Sequence, residues 1–189
     1  MRRYLSGLCA ILLSGCAGTF YVPAPGTPTA NVRFVATYGG NTEFIRSDSV
    51  QCDAMFRGKL GWFNPGGDQN FQAERRGFNR REGIPGGEAY PSHMYSEMRV
   101  DSDKPFFVTV ASTAGRSGSI SPFDVQICVR AAELPVHTGR NYELIHVRDG
   151  DKCDLRFVEV SQTSGGVSRK EINLISKSPM CTGHGTPRS

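Results

Sequence analysis

The sequence predicts an all-β protein, a small antiparallel β-sandwich carrying one long Gly/Arg-rich loop. Three observations predict it. Apolar residues recur at every second position in several short runs, the pattern of strands with one buried face. Turn dipeptides rich in Gly, Asn and Asp separate those runs. No window carries a sustained 3.6-residue period, so no long amphipathic helix competes.

Val32 and Phe34 share one face of a first strand, and Gly39-Gly40-Asn41 turns the chain into a short second strand at Phe44 and Ile45. A short helix is expected within residues 49–60. Residues 64–92 then run without a period from Asn64-Pro65-Gly66-Gly67 to Tyr90-Pro91-Ser92. A stretch of that length inside a domain is usually functional or disordered. Phe106, Val108 and Val110 alternate with Phe107, Thr109 and Ala111. Val125, Ile127 and Val129 alternate with Gln126, Cys128 and Arg130, so the three branched residues are expected to form the buried face. Residues 142–147 and 155–160 make two more strands, with Asp149-Gly150 between them as a tight hairpin turn. Ser164-Gly165-Gly166 leads to a last strand at residues 171–175.

The first thirteen residues read differently. Met1-Arg2-Arg3-Tyr4 is a short basic start, and the run from Leu5 to Leu13 is apolar but too short to span a bilayer. With Leu13-Ser14-Gly15-Cys16 the chain resembles bacterial lipoproteins, whose lipobox places two small residues between a Leu and an invariant Cys. The resemblance implies cleavage before Cys16 and a thioether-linked diacylglycerol on that cysteine, usually with a third acyl chain on the new amino group. It also implies a periplasm-facing anchor in the outer membrane, because Ala17 stands where an Asp would signal inner-membrane retention. Two or more chains make such attachment stable. Arg2-Arg3 also fits a twin-arginine export signal, in a poor surrounding motif.

The expected organisation is therefore a signal peptide over 1–15, the lipidated Cys and a proline-rich tether over 16–30, and the β-sandwich over 31–189. Pro23, Pro25 and Pro28 favour extended polyproline conformation in the tether. The whole chain has 189 residues and a net charge of +4. Loss of Arg2 and Arg3 with the signal leaves only a mild basic excess, which argues for no nucleic-acid partner. Of six cysteines, Cys9 leaves with the signal and Cys16 takes lipid. Cys52, Cys128, Cys153 and Cys181 remain, an even set in an oxidising compartment, with three possible pairings. The favoured pairing joins Cys153 to Cys181 across the open end of a hairpin and leaves Cys52 for Cys128. Free thiols acting as metal ligands or nucleophiles are the rival.

Pro135, Gly139 and Tyr142 resemble a corner found in small β-sandwich envelope lipoproteins and in carbohydrate-binding or regulatory sandwich modules. There the Gly permits a tight turn and the Tyr packs near the start of the next strand. The resemblance implies an immunoglobulin-like or transthyretin-like sandwich and says nothing of activity.

Candidate chemistry is sparse. Arg75, Arg76, Arg80 and Arg81 cluster with Phe71 and Phe78 interleaved, a set suited to phosphate or carboxylate; a solvated loop is the competing reading. His93, His137, His146 and His184 form no metal-binding spacing. His93 with Met94 and Met98, or Met180 and Cys181 with His184, offers soft donors suited to copper in loose spacing. Asp149, Asp151 and Asp154 crowd a turn that lacks the length of a calcium loop. Trp62 and Phe63 are either exposed sugar platforms or anchors in the core. No nucleophile elbow, phosphate loop or dinucleotide fingerprint is present; Ser117-Gly118-Ser119 and Thr163-Ser164-Gly165 read as turns. The expectation is a non-enzymatic envelope lipoprotein without cofactor or metal, structural in role or binding an envelope protein or glycan. The rivals are an enzyme acting on envelope polymers and an accessory subunit of a secretion assembly. Two converging carboxylates in a cleft, or a Ser beside His146 or His137, would favour the enzyme.

Overall fold

The structure, a computed structural model, describes residues 20–37, 40–50, 56–63, 80–115, 125–149 and 152–177. Two five-stranded sheets pack face to face, as the alternating pattern predicts. The first sheet contains β1 (Thr29–Ala36), β4 (Tyr95–Asp101), β7 (Asn141–Asp149), β8 (Lys152–Thr163) and β9 (Gly166–Ile172), in the order β4-β1-β7-β8-β9. The second contains β2 (Asn41–Ser47), β3 (Phe56–Phe63), β5 (Phe106–Gly115), β6 (Val125–Leu134) and β10 (Ile175–Lys177), in the order β10-β6-β5-β2-β3. Pairing is antiparallel except between β1 and β7, which run parallel.

The core lies between the sheets. Val32 and Phe34 of β1, Phe44 of β2, Met98 and Val100 of β4, Phe106, Val108 and Val110 of β5, Leu144 of β7 and Phe157 of β8 are all buried in it. The corner at the start of β7 forms as its resemblance implies. Gly139 takes φ 71°, the Tyr142 hydroxyl accepts the His137 N–H at 3.1 Å, and the Tyr142 ring stacks on Phe157 at 5.0 Å. Both predicted hairpins form: Asp149 pairs with Lys152, and Thr163 with Gly166.

Several expectations are corrected. No helix forms from residue 56 onward in the 49–60 window; that stretch belongs to β3. Against β2, Ser47 pairs with Phe56 but Arg46 with Gly58, and Ile45 pairs with Lys59 but Phe44 with Gly61. Arg57 and Leu60 are thus extra residues at two bulges, and each bulge resets the period of two. The face of β6 is also reversed. Ile127 is 71% exposed, while Ala132 and Leu134 are buried. Register follows those two residues and Cys128, so the branched side chains at 127 and 129 turn to the outer face. The strand expected at residues 171–175 runs instead from Gly166 to Ile172 as β9, with Ile175 in a separate strand, β10, of the other sheet, and β4 was not anticipated at all.

Within the stretch expected as a tether over 16–30, Phe20 and Tyr21 belong to the folded domain. Phe20 already bridges to Lys59, the Tyr21 N–H donates to the Lys59 carbonyl at 3.0 Å, and the Tyr21 ring enters the core against Phe106. Its hydroxyl accepts the Asp101 N–H at 3.1 Å, and burial pushes its pKa up to about 12. The domain therefore closes its β3/β4 side with Phe20 and Tyr21.

The described end of the long loop, residues 80–92, covers the outer face of the first sheet. Arg33 of β1 points out from that face and is fully buried beneath this cover. Its guanidinium donates to Glu97 Oε1 (2.9 and 2.7 Å), to the Pro85 carbonyl (3.2 Å), to Glu143 Oε1 and to the Ile84 carbonyl. The second oxygen of Glu97 accepts the N–H groups of Glu82, Gly83 and Ile84 at 2.7, 2.9 and 3.3 Å. Glu143 Oε2 accepts from Arg169 at 2.9 Å and from the Tyr90 hydroxyl at 3.1 Å. Beside this network Ile84 packs on Val158, Val160 and Val167. Gly86 takes φ 78°, which favours glycine, and a Cβ there would also sit 2.6 Å from Arg169 Nη2.

Desolvating such charges offsets most of their attraction, but removing one member strands the others without compensation. Arg33→Ala should therefore lower stability by about 3–5 kcal/mol in urea unfolding, and should expose residues 80–92 to protease at low urea. A loss below about 1 kcal/mol, the scale of a surface pair, would show that the network does not hold the segment.

Candidate functional site

The core changes character at the end where β5, β6, β7 and β8 meet. The inward positions there are Ser112, Cys128, Arg130, His146 and Cys153. Cys128 and Cys153 form a disulfide that joins the two sheets, with Cα atoms 6.4 Å apart. This overturns the favoured pairing of Cys153 with Cys181 and Cys52 with Cys128. The physical reason is that the two cysteines meet from facing sheets, Cys128 on β6 and Cys153 on β8. Cys52 and Cys181 lie outside the described residues. Closing a loop with a sequence separation of 25 restricts the unfolded chain enough to stabilise the fold by about 3–4 kcal/mol.

His146 is fully buried beside this bridge. Its Nε2 lies 3.3 Å from Ser112 Oγ, and its Nδ1 has no hydrogen-bond partner among the described residues. Burial first, then the charges of Arg148 and Arg130, lower its pKa from 6.5 to about 4. Donor atoms of Cys128, His146 and Cys153 lie within 4.8 Å of one another. Those side chains would suit a soft ion only with both thiols free and deprotonated; as a disulfide the sulfurs are committed to each other. Sequence spacing gave no sign of this neighbourhood, because the histidine arrives from another strand.

A Ser beside a His was one signature of an enzyme, and Ser112 with His146 meets it in distance alone. Both are fully buried, and among the described residues no carboxylate orients Nδ1. At the opposite end of the sandwich, His137 Nδ1 lies 3.3 Å from Asp103 Oδ1, exposed, at the edge of a shallow hollow of about 320 Å³. The Thr138 hydroxyl there binds Asp103 rather than His137, and this contact foremost holds the Asp103 carboxyl below its usual range. The hydroxyl is thus wired to the acid and not to the base. The other enzyme signature was a pair of converging carboxylates. Glu97 and Glu143 do converge, but on Arg33, under the cover segment and with both carboxylates saturated.

Arg80 and Arg81 lie at the β3/β4 side. The Arg80 carbonyl accepts the Glu97 N–H at 2.8 Å, which fixes the backbone there. The Arg80 guanidinium sits 5.8 Å from the centre of the Phe20 ring. Arg81 stacks over Tyr95 at 3.9 Å and donates to the Ser92 carbonyl at 2.6 Å. Both are exposed. Arg75, Arg76 and Cys16 lie outside the described residues, as do His184, Met180, Asp151 and the Ser117–Ser119 turn.

The soft-donor set at His93 does not assemble, because Met98 is a core residue while His93 is exposed. Trp62 and Phe63 divide by strand alternation. Phe63 enters the core against Phe44, and Trp62 faces outward into a hollow of about 240 Å³ lined also by Asn41, Thr42, Glu43, Ala111 and Thr113. Ile127, paired across β5 with Thr113, extends this outer face.

Comparisons with protein families, with curated proteins and with solved structures find no match.

The lowered pKa of His146 has a consequence for stability. Above about pH 6.5 the histidine is neutral in both folded and unfolded chains. Between 6.5 and about 4 the unfolded chain binds the extra proton, so stability falls as pH falls through that window. His146→Gln should flatten this part of the profile, measured by urea unfolding from neutral pH down to about pH 4. An unchanged slope in the variant would mean that other groups carry the acid sensitivity.

Proposed function

We propose that this chain is an envelope lipoprotein, held on the bacterial outer membrane by lipid on Cys16, whose β-sandwich binds or braces rather than catalyses. The observation that carries this reading is the lipobox Leu13-Ser14-Gly15-Cys16 standing four residues before the first contact of the folded domain, Phe20 with Lys59. An inter-sheet disulfide suits an oxidising compartment. The catalytic signatures among the described residues are closed off or wired away from a nucleophile. Cys16→Ala should leave the protein uncleaved or released from membranes in a fractionation experiment. A variant that remains membrane-bound with the parent's mature mass would sink the anchor.

The outer face of the second sheet favours one further reading, a glycan partner. Trp62 offers a ring, with the Glu43 carboxylate, the Asn41 amide and the Thr113 hydroxyl around it, the mixture that sugar recognition uses. Trp62 is the single tryptophan of the chain, so its fluorescence reports this hollow alone. Soluble peptidoglycan fragments should shift its emission saturably, and Glu43→Ala should weaken the effect. No saturable change would remove the glycan reading.

A further inference from the structure

We propose that the β3/β4 side of the domain, at Phe20, Val22, Arg80 and Arg81, docks on the anionic phospholipid surface to which the chain is anchored. The inference rests on the lipid-anchor reading and adds to it an orientation and a headgroup-binding face.

Chain length argues for it first. From Cys16 to Phe20 is four residue steps, about 14 Å even when fully extended. Phe20 is already fixed on β3 and Tyr21 is buried against Phe106. The leash therefore ends on this side and nowhere else. Electrostatic attraction to a membrane fades over a Debye length, about 8 Å at physiological ionic strength. A leash this short keeps the β3/β4 side near that range, whereas a 15-residue tether would not have done so.

The chemistry of the face fits an acidic interface. Val22 is 68% exposed, one of two large apolar side chains so exposed among the described residues. Two residues before it in the chain, Phe20 has the guanidinium of Arg80 over its ring at 5.8 Å. Arg81 lies over the Tyr95 ring and donates from Nη2 to the Ser92 carbonyl and from Nη1 to the Arg80 carbonyl, which fixes its plane and leaves one further N–H on each Nη for a phosphate. On neighbouring β3, Arg57 and Lys59 are already paired with Asp48 and Glu43. Arg80 and Arg81 form no ion pair among the described residues, and Glu82 is the one exposed acid next to them in sequence. The Glu97 clamp fixes the backbone of residues 80–84, so these arginines are presented by a rigid support.

The test uses the full mature, lipidated protein with Val22→Trp in a Trp62→Phe background, reconstituted in phosphatidylcholine vesicles with or without phosphatidylglycerol. Flotation reports the anchor, and quenching of the new tryptophan by brominated lipid reports docking. The expected result is flotation in both vesicles but quenching only with phosphatidylglycerol, lost at high salt and lost in Arg80→Gln/Arg81→Gln. The salt arm leaves the arginines intact, so it guards against a variant that merely loosens the segment. Flotation without quenching overturns the docking face, as does quenching that is equal in both vesicles and indifferent to salt. Failure to float overturns the anchor itself, and the docking inference with it.

Discussion

A buried guanidinium organises the outer layer of this protein. Arg33 stands on β1, an interior strand of the first sheet, and points from its outer face into the space beneath residues 80–92. It is accommodated only because two glutamates from the flanking strands and two carbonyls from residues 84 and 85 meet its donors. The same glutamates then spend their remaining oxygens on the cover segment, on Tyr90 and on Arg169. A charge that cannot be left unpaired thus dictates where an otherwise patternless stretch must lie. It also sets where Arg80 and Arg81 emerge, beside the point where the chain enters the domain.

The two ends of the sandwich are finished in different ways. At the end nearer the N-terminus of β7, aromatic packing and the Tyr142 corner close the core. At the other, apolar residues give way to Ser112, His146 and the Cys128–Cys153 bridge. Covalent closure there takes the place of hydrophobic packing. It holds the sheets together around a histidine that burial keeps neutral. The cost is sensitivity to acid, since the unfolded chain accepts the proton that the folded one refuses.

The sandwich was legible in the sequence because alternating apolar residues mark β1 and β5, and because Asp149-Gly150 and Ser164-Gly165 mark the hairpins of β7, β8 and β9, although β7 and β8 bury residues on both faces. Strand β3 was not, since bulges at Arg57 and Leu60 shift its apolar residues off that period. Strand β4 was hidden by its outward Glu97, a charge whose partner lies 64 residues away on β1. The face of β6 was misread because Val125, Ile127 and Val129 are the more apolar set locally, while Ala132 and Leu134 fix the register from the other half of the strand. The disulfide was missed for a different reason: the expected pairing joined the ends of one hairpin, whereas Cys128 and Cys153 meet from facing sheets. Of the proposed binding groups, the arginines were visible as a cluster, but their support by Tyr95, Ser92 and Phe20 depends on contacts across strands that no local pattern encodes.

The central claim is a disulfide-braced sandwich joined almost directly to a lipidated cysteine. The most direct measurement is mass spectrometry of the protein purified from membranes, alkylated without reduction and then digested. The account predicts an N-terminal peptide that begins at an acylated Cys16, and a linked pair of peptides that joins Cys128 to Cys153. An N-terminus elsewhere with an alkylated Cys16 would contradict the anchor, and alkylated Cys128 and Cys153 would contradict the brace.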